Sequence, residues 1–146
     1  MAGECAFEEH PDPYSRMESK KKAHEFRVVL SSNRRAGSRA RQAVRQSFSE
    51  RLPSRTLWDL IAVVTELVNN SVKHGPGKPI TLTLVPGEES IRGEVADQGN
   101  PAAAIPQIKE PTETGGRGLA LVDKLTAKWA VCEGGTQVWF EVPLDN

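Results

Sequence analysis

The chain is predicted to be α/β, an α+β two-layer sandwich with a mixed, mostly antiparallel sheet and helices on one face. Three observations predict this. Stretches of period two and period 3.6 follow one another in the order βααββ, a long loop, then αββ. Short turns at Gly87-Glu88-Glu89 and Glu133-Gly134-Gly135 each join two strand-like runs. The longest apolar periodicity, between Leu57 and Val72, keeps to the helical repeat.

The elements follow in order. Residues 1–23 read as a flexible N-terminal tail, with Gly3, Pro11, Pro13 and the run Lys20-Lys21-Lys22 and little periodicity. Met17 is an alternative start, because patterned sequence begins just beyond it. The domain then runs over 24–146. His24 to Leu30 is a strand. Ser31, Ser32 and Asn33 are capping types ahead of a helix over about 34–50, which places Ala36, Ala40, Val44 and Phe48 opposite a row of arginines. Leu52-Pro53-Ser54 breaks it. Thr56 and Asp59 are spaced as a capping box for the next helix, which Gly75-Pro76-Gly77 ends. Strands follow at 80–85 and 90–97. Residues 98–115 are loop-like, a length that is usually functional or disordered. A short helix over 119–125 precedes strands at 127–132 and 137–142.

Composition narrows the function classes. The 146 residues make one domain, with or without a tail. No apolar run approaches the roughly 18 residues of a membrane span, and the first residues lack a secretory core. A cytoplasmic protein without a membrane partner is expected. Cys5 and Cys132 are the two cysteines, read as reduced free thiols, and the three histidines add no metal spacing. Charge is balanced overall but uneven: residues 1–55 hold 12 Lys/Arg against 7 Asp/Glu, and residues 56–146 hold 7 against 12. Such a basic front suits an acidic partner or is a solvated helix face. Without a helix-turn-helix pattern, no direct nucleic-acid contact is expected.

Four places can carry chemistry. Glu66 and Asn70 lie four apart on one helix and share a face. The carboxylate can act as a general base, and the amide oxygen can ligate Mg²⁺. Alternatively, the pair is a helix edge emerging into solvent. Asp97 ends a strand ahead of Gly99 and Pro101. Its carboxylate can accept from the exocyclic amine of adenine and has no such partner in guanine. Gly99 would let a base approach the backbone, although Asp-x-Gly is also a common turn. The stretch 114–119 is glycine-rich and opens a helix, so its N–H groups can cradle phosphate, with Arg117 adding charge. It can also be a plain connection.

Taken in order, Glu-Leu-Val-Asn-Asn-Ser-Val-Lys-His-Gly (66–75), Asp-Gln-Gly-Asn-Pro (97–101), Gly-Gly-Arg-Gly-Leu-Ala-Leu-Val (115–122) and Gly-Thr-Gln-Val-Trp-Phe (135–140) resemble the GHKL (histidine kinase-like) ATPase superfamily. Within it the chain is most similar to bacterial anti-sigma factor serine/threonine kinases of the RsbW and SpoIIAB type, over about residues 25–144. The resemblance implies the Bergerat ATP-binding fold, with ATP and Mg²⁺ as cofactors. It implies Glu66 as catalytic base, Asn70 as Mg²⁺ ligand with Asn69 beside it, and Asp97 on the adenine amine supported by Gly99. It further implies Gly116, Arg117, Gly118 and Leu119 near the phosphates and Thr136 near adenine. His74 is read as structural or phosphate-adjacent. The implied reaction is phosphorylation of a STAS-domain anti-sigma factor antagonist, with a sigma factor as second partner and homodimers common. Arg34, Arg39, Arg41 and Arg45 would then form part of a partner surface. Pro101 departs from the family's usual second glycine. A non-catalytic ATP-binding regulator that binds a protein without phosphorylating it is the alternative.

Overall fold

The computed structural model describes residues 25–98, 117–132 and 137–144. The expected tail, most of the 98–115 loop and the Glu133-Gly134-Gly135 turn lie outside the described residues. So do Gly99, Gly116 and Thr136.

Five strands form one sheet. They are β1 (Phe26–Leu30), β2 (Ile80–Pro86), β3 (Ser90–Ala96), β4 (Lys128–Cys132) and β5 (Gln137–Pro143), in the spatial order β1-β2-β3-β5-β4. Every pairing among them is antiparallel, so the expected mixture narrows to a uniformly antiparallel sheet among the described residues. Gly87 N–H donates to the Ser90 carbonyl at 2.8 Å and closes the β2–β3 turn. The β1–β2 pair instead encloses two helices, α1 (Ala36–Phe48) and α2 (Ser54–His74). A third, α3 (Arg117–Leu125), precedes β4.

The period-two alternation puts Leu82, Leu84, Ile91, Val95, Phe140 and Val142 on one sheet face. They pack there against Ala40, Val44 and Phe48 of α1, the apolar stripe of α2, and Val122 of α3. Gly93 faces Phe140 across the β3–β5 ladder, and the aromatic ring occupies the space that a Cβ would need. Phe26 meets Phe48 edge-on at 5.7 Å between centroids, fixing β1 to the end of α1.

Helix starts differ from the sequence reading. Asn33 does act ahead of α1: its Oδ1 accepts from Arg35 N–H at 2.8 Å and its carbonyl accepts from Ala36 N–H at 3.0 Å. The residue at the cap itself is Arg35. For α2 the Thr56–Asp59 capping box does not form. The helix begins at Ser54, and its N-cap is an extended Pro53, three residues before Thr56, with no side-chain cap. Thr56 is turned into the interior, and Asp59 pairs with Arg55 at 3.9 Å. Pro53 cannot extend a helix backwards but is well suited to precede one, so it sets the start.

The sheet's other face carries a smaller apolar cluster of Ala130, Cys132 and Trp139. Cys132 is disulfide-bonded, contrary to the expected free thiol. Cys5 lies outside the described residues. Separation along the chain is a poor guide to thiol state, because bond formation depends on distance in space.

Candidate nucleotide site

Two chain segments meet at the C-terminal end of α2. The last turn of α2 donates from Gly75 N–H to the Ser71 carbonyl at 2.8 Å, and the chain leaves in an extended conformation. Asp97, the first residue after β3, lies directly against this exit. It is 8% exposed, one of few buried polar residues among those described. A Cβ added at Gly75 would lie 2.9 Å from Asp97 Oδ2 and would also collide with the Ser71 carbonyl oxygen. Glycine is needed at 75 for space, since its backbone angles suit any residue.

Gln98 follows with φ of 59°, in the left-handed region. That conformation disfavours a side chain by about 1–2 kcal/mol and concentrates at functional sites. The chain thus turns sharply as soon as it passes the carboxylate.

Glu66 and Asn70 sit on one face of α2, a turn apart, and both are half-buried. Neither is the fully solvated edge that the sequence left open. Asn69 is placed differently. Its amide lies against Gly37 in the first turn of α1, where a Cβ would overlap Oδ1. The structure therefore groups Asn69 with the α1–α2 contact. His74, in the last turn, is exposed.

Helix α3 packs along α2, with Val122 in the shared core. The helix opens at Arg117 and Gly118, and Leu119 is half-buried. Its far end is tied down: Thr126 Oγ1 donates to the Val122 carbonyl at 2.7 Å, and Trp129 Nε1 donates to Asp123 Oδ1 at 3.0 Å. Arg34, Arg39 and Arg45 are exposed, and Arg41 is half-buried.

Residues 30–142 match the family described as Histidine kinase-like ATPase domain. The chain belongs to that family. Its fold is similar to a crystal structure of the RsbU and RsbW domains of Rv1364c from Mycobacterium tuberculosis, with a TM-score of 0.60 at 17% identity. The alignment covers 82% of this chain but 31% of that one, so the histidine kinase-like domain corresponds to one part of a longer protein. No curated protein matches the chain. Among the described residues, no helix is long and apolar enough to cross a membrane.

Membership makes ATP the nucleotide of this domain. Sequence reasoning passed over Gly75 and Gly37 as more than punctuation. A glycine next to a motif residue is the signal that was available, since close approach is one of the two reasons for glycine.

Proposed function

We propose that this histidine kinase-like domain is an ATP-dependent protein serine/threonine kinase that also acts as an anti-sigma factor. In this reading it phosphorylates a STAS-domain antagonist and sequesters a sigma factor, and so regulates transcription in the cytoplasm. The observation that carries it is the meeting of Asp97 with Gly75 at the end of the helix that bears Glu66 and Asn70. The partner class is the one implied by the motif resemblance to RsbW-type kinases, and the similarity in fold to a structure that contains an RsbW domain supports it.

The donor set suits the implied ion. Among the described residues no three His, Cys, Asp or Glu side chains gather to hold a metal. Mg²⁺ does not need such a cage, because it usually keeps phosphate and water oxygens and takes one or two from protein. Asn70 Oδ1 would be that protein oxygen. ATP with Mg²⁺, when bound, would supply the γ-phosphoryl group with its charge partly neutralised.

The chain's own residues do the rest. Asp97 would accept a hydrogen bond from the adenine amine, and the motif resemblance assigns Gly99 and Thr136 to the same base. Backbone N–H groups at the start of α3, at Arg117, Gly118 and Leu119, would hold the phosphates, and the motif resemblance adds Gly116 to them. Glu66 takes the proton of the attacking hydroxyl, the role a positioned carboxylate plays in phosphoryl transfer. Arg34, Arg39, Arg41 and Arg45 form a basic surface for an acidic partner, and a homodimer is compatible with it.

The test is incubation with Mg²⁺, γ-labelled ATP and STAS proteins from the same cell. Label on a STAS serine or threonine is expected, reduced about 10²–10⁴-fold by Glu66→Gln. ATP binding without any label on a STAS protein would favour the non-catalytic regulator instead.

A further inference from the structure

The outward ridge of α2 joins the candidate site to an exposed tryptophan. Trp58, Ala62, Glu66 and Asn70 follow one another at intervals of four residues, so they line one side of the helix. Eight residues separate Trp58 from Glu66, about 12 Å along the axis at 1.5 Å per residue. Ala62, between them, leaves the ridge low. Trp58 is 65% exposed, and among the described residues Val29 is the other large apolar side chain left in water. The fold makes no use of this indole, which belongs to neither apolar cluster. Single exposed apolar residues are common, but tryptophan and arginine are enriched among the residues that dominate protein interfaces.

Arginines border the ridge. Gly37, at the start of α1, lies against Asn69, near the end of α2, and a short connection joins the other ends, so the two helices run antiparallel. Counting from that contact at equal rise, Arg41 falls level with Thr65, Arg45 with Ile61 and Phe48 with Trp58. Arg41 and Arg45 follow Gly37 at steps of four, which puts them on the side of α1 that borders the ridge. Residues 34–55 contain seven Arg and no Lys against a single carboxylate, Glu50. Among the described residues, the one ion pair from this stretch is Arg55 with Asp59, at 3.9 Å with its Arg55 end largely in water. Such a pair offsets little. The ground beside Trp58 therefore keeps a large positive excess, made of the side chain whose planar fork fits carboxylates best.

An apolar anchor ringed by cations fits an acidic protein segment that carries one apolar side chain. The anchor shares its ridge with Glu66, so the protein it fits is the one that must bring a hydroxyl to that carboxylate. Resting on the kinase reading above, we propose that Trp58 is the docking anchor for the phosphoacceptor protein. An apolar side chain of that protein packs on the indole, and carboxylates beside it pair with Arg45 and Arg55. Trp58 then selects which protein is phosphorylated and takes no part in the transfer itself.

The full-length chain and its Trp58→Ala, Trp58→Phe and Arg45→Glu variants test this with Mg²⁺, ATP and the STAS proteins of the same cell. Trp58→Ala is expected to raise KM for the labelled STAS protein about tenfold or more. The kcat at saturation, the ATP affinity and the melting temperature should stay as in the parent chain. Trp58→Phe should recover most of the loss, and Arg45→Glu, on the neighbouring helix, should raise KM as well. An unchanged KM in both Trp58→Ala and Arg45→Glu, or a loss confined to kcat, overturns the proposal. Calorimetric titration of the STAS proteins into each variant judges docking separately from transfer. Absence of label on every STAS protein defeats the kinase reading alone. In that case STAS binding about tenfold weaker in Trp58→Ala still supports the docking surface, whereas equal binding, or none to the parent chain, overturns it. Two further results overturn it by naming another occupant. One is self-association of the chain that Trp58→Ala abolishes, and the other is Trp58-dependent binding of a single-stranded DNA oligonucleotide in place of the STAS protein.

Discussion

Gly75 and Asp97 touch: a Cβ at Gly75 would stand 2.9 Å from the Asp97 carboxylate. The contact joins the end of α2 to the end of β3 and holds the candidate adenine acceptor in place. Gly75→Ala must displace either the Ser71 carbonyl or the carboxylate. The expected result is a loss of ATP affinity of tenfold or more. Overpacking should also cost stability, by about 1–3 kcal/mol. Calorimetric titration with ATP and a thermal melt measure the two effects separately. Unchanged affinity would remove Asp97 from the site.

Asp97→Asn preserves shape and removes the charge and one acceptor. ATP binding should weaken by about 100-fold, with little change in melting temperature. Discrimination against GTP should shrink with it, because the amide's N–H₂ can face the guanine carbonyl. Parallel titrations with ATP and GTP give the ratio.

Asn70→Ala should act only through the ion. With excess Mg²⁺ the variant should bind ATP several-fold more weakly than the parent chain. With EDTA present the two should bind alike. A defect that persists in EDTA would mean that Asn70 contacts the nucleotide directly or supports the fold.

Phe48 is fully buried where α1, α2 and β1 meet, and the Arg51 guanidinium lies 5.0 Å from its ring centroid. Phe48→Ala should cost about 3–5 kcal/mol, mostly as cavity and lost transfer energy. Urea unfolding checks this. Arg39→Glu with Arg45→Glu lies on the exposed side of the same helix and should leave stability within about 0.5 kcal/mol. If that face meets an acidic partner, the double variant should abolish capture, and capture by the parent chain should fall as salt rises.

The elements and their order were legible because periodicity is a local property. Leu57, Leu60, Val64 and Leu67 announce α2, and Ile80, Leu82 and Leu84 announce β2, without knowledge of neighbours. Boundaries were less so. The Thr56–Asp59 pair had the spacing of a capping box, yet Pro53 started the helix earlier and burial drew Thr56 inward. Of the candidate site, Glu66, Asn70 and Asp97 were readable as residue types at suggestive spacings. Their burial was not, and neither was the turn of Asn69 toward Gly37.

The sequence by itself determined the fold class, the helical face shared by Glu66 and Asn70, and the motif order of a histidine kinase-like ATPase. Each depends on repeats of two or 3.6 residues, or on residues close along the chain. Only the tertiary structure decided that Gly75 makes room for Asp97, that Gly37 makes room for Asn69, and that Cys132 is bonded. These relationships join residues distant in sequence, and each is set by which surfaces pack together once apolar side chains have left water.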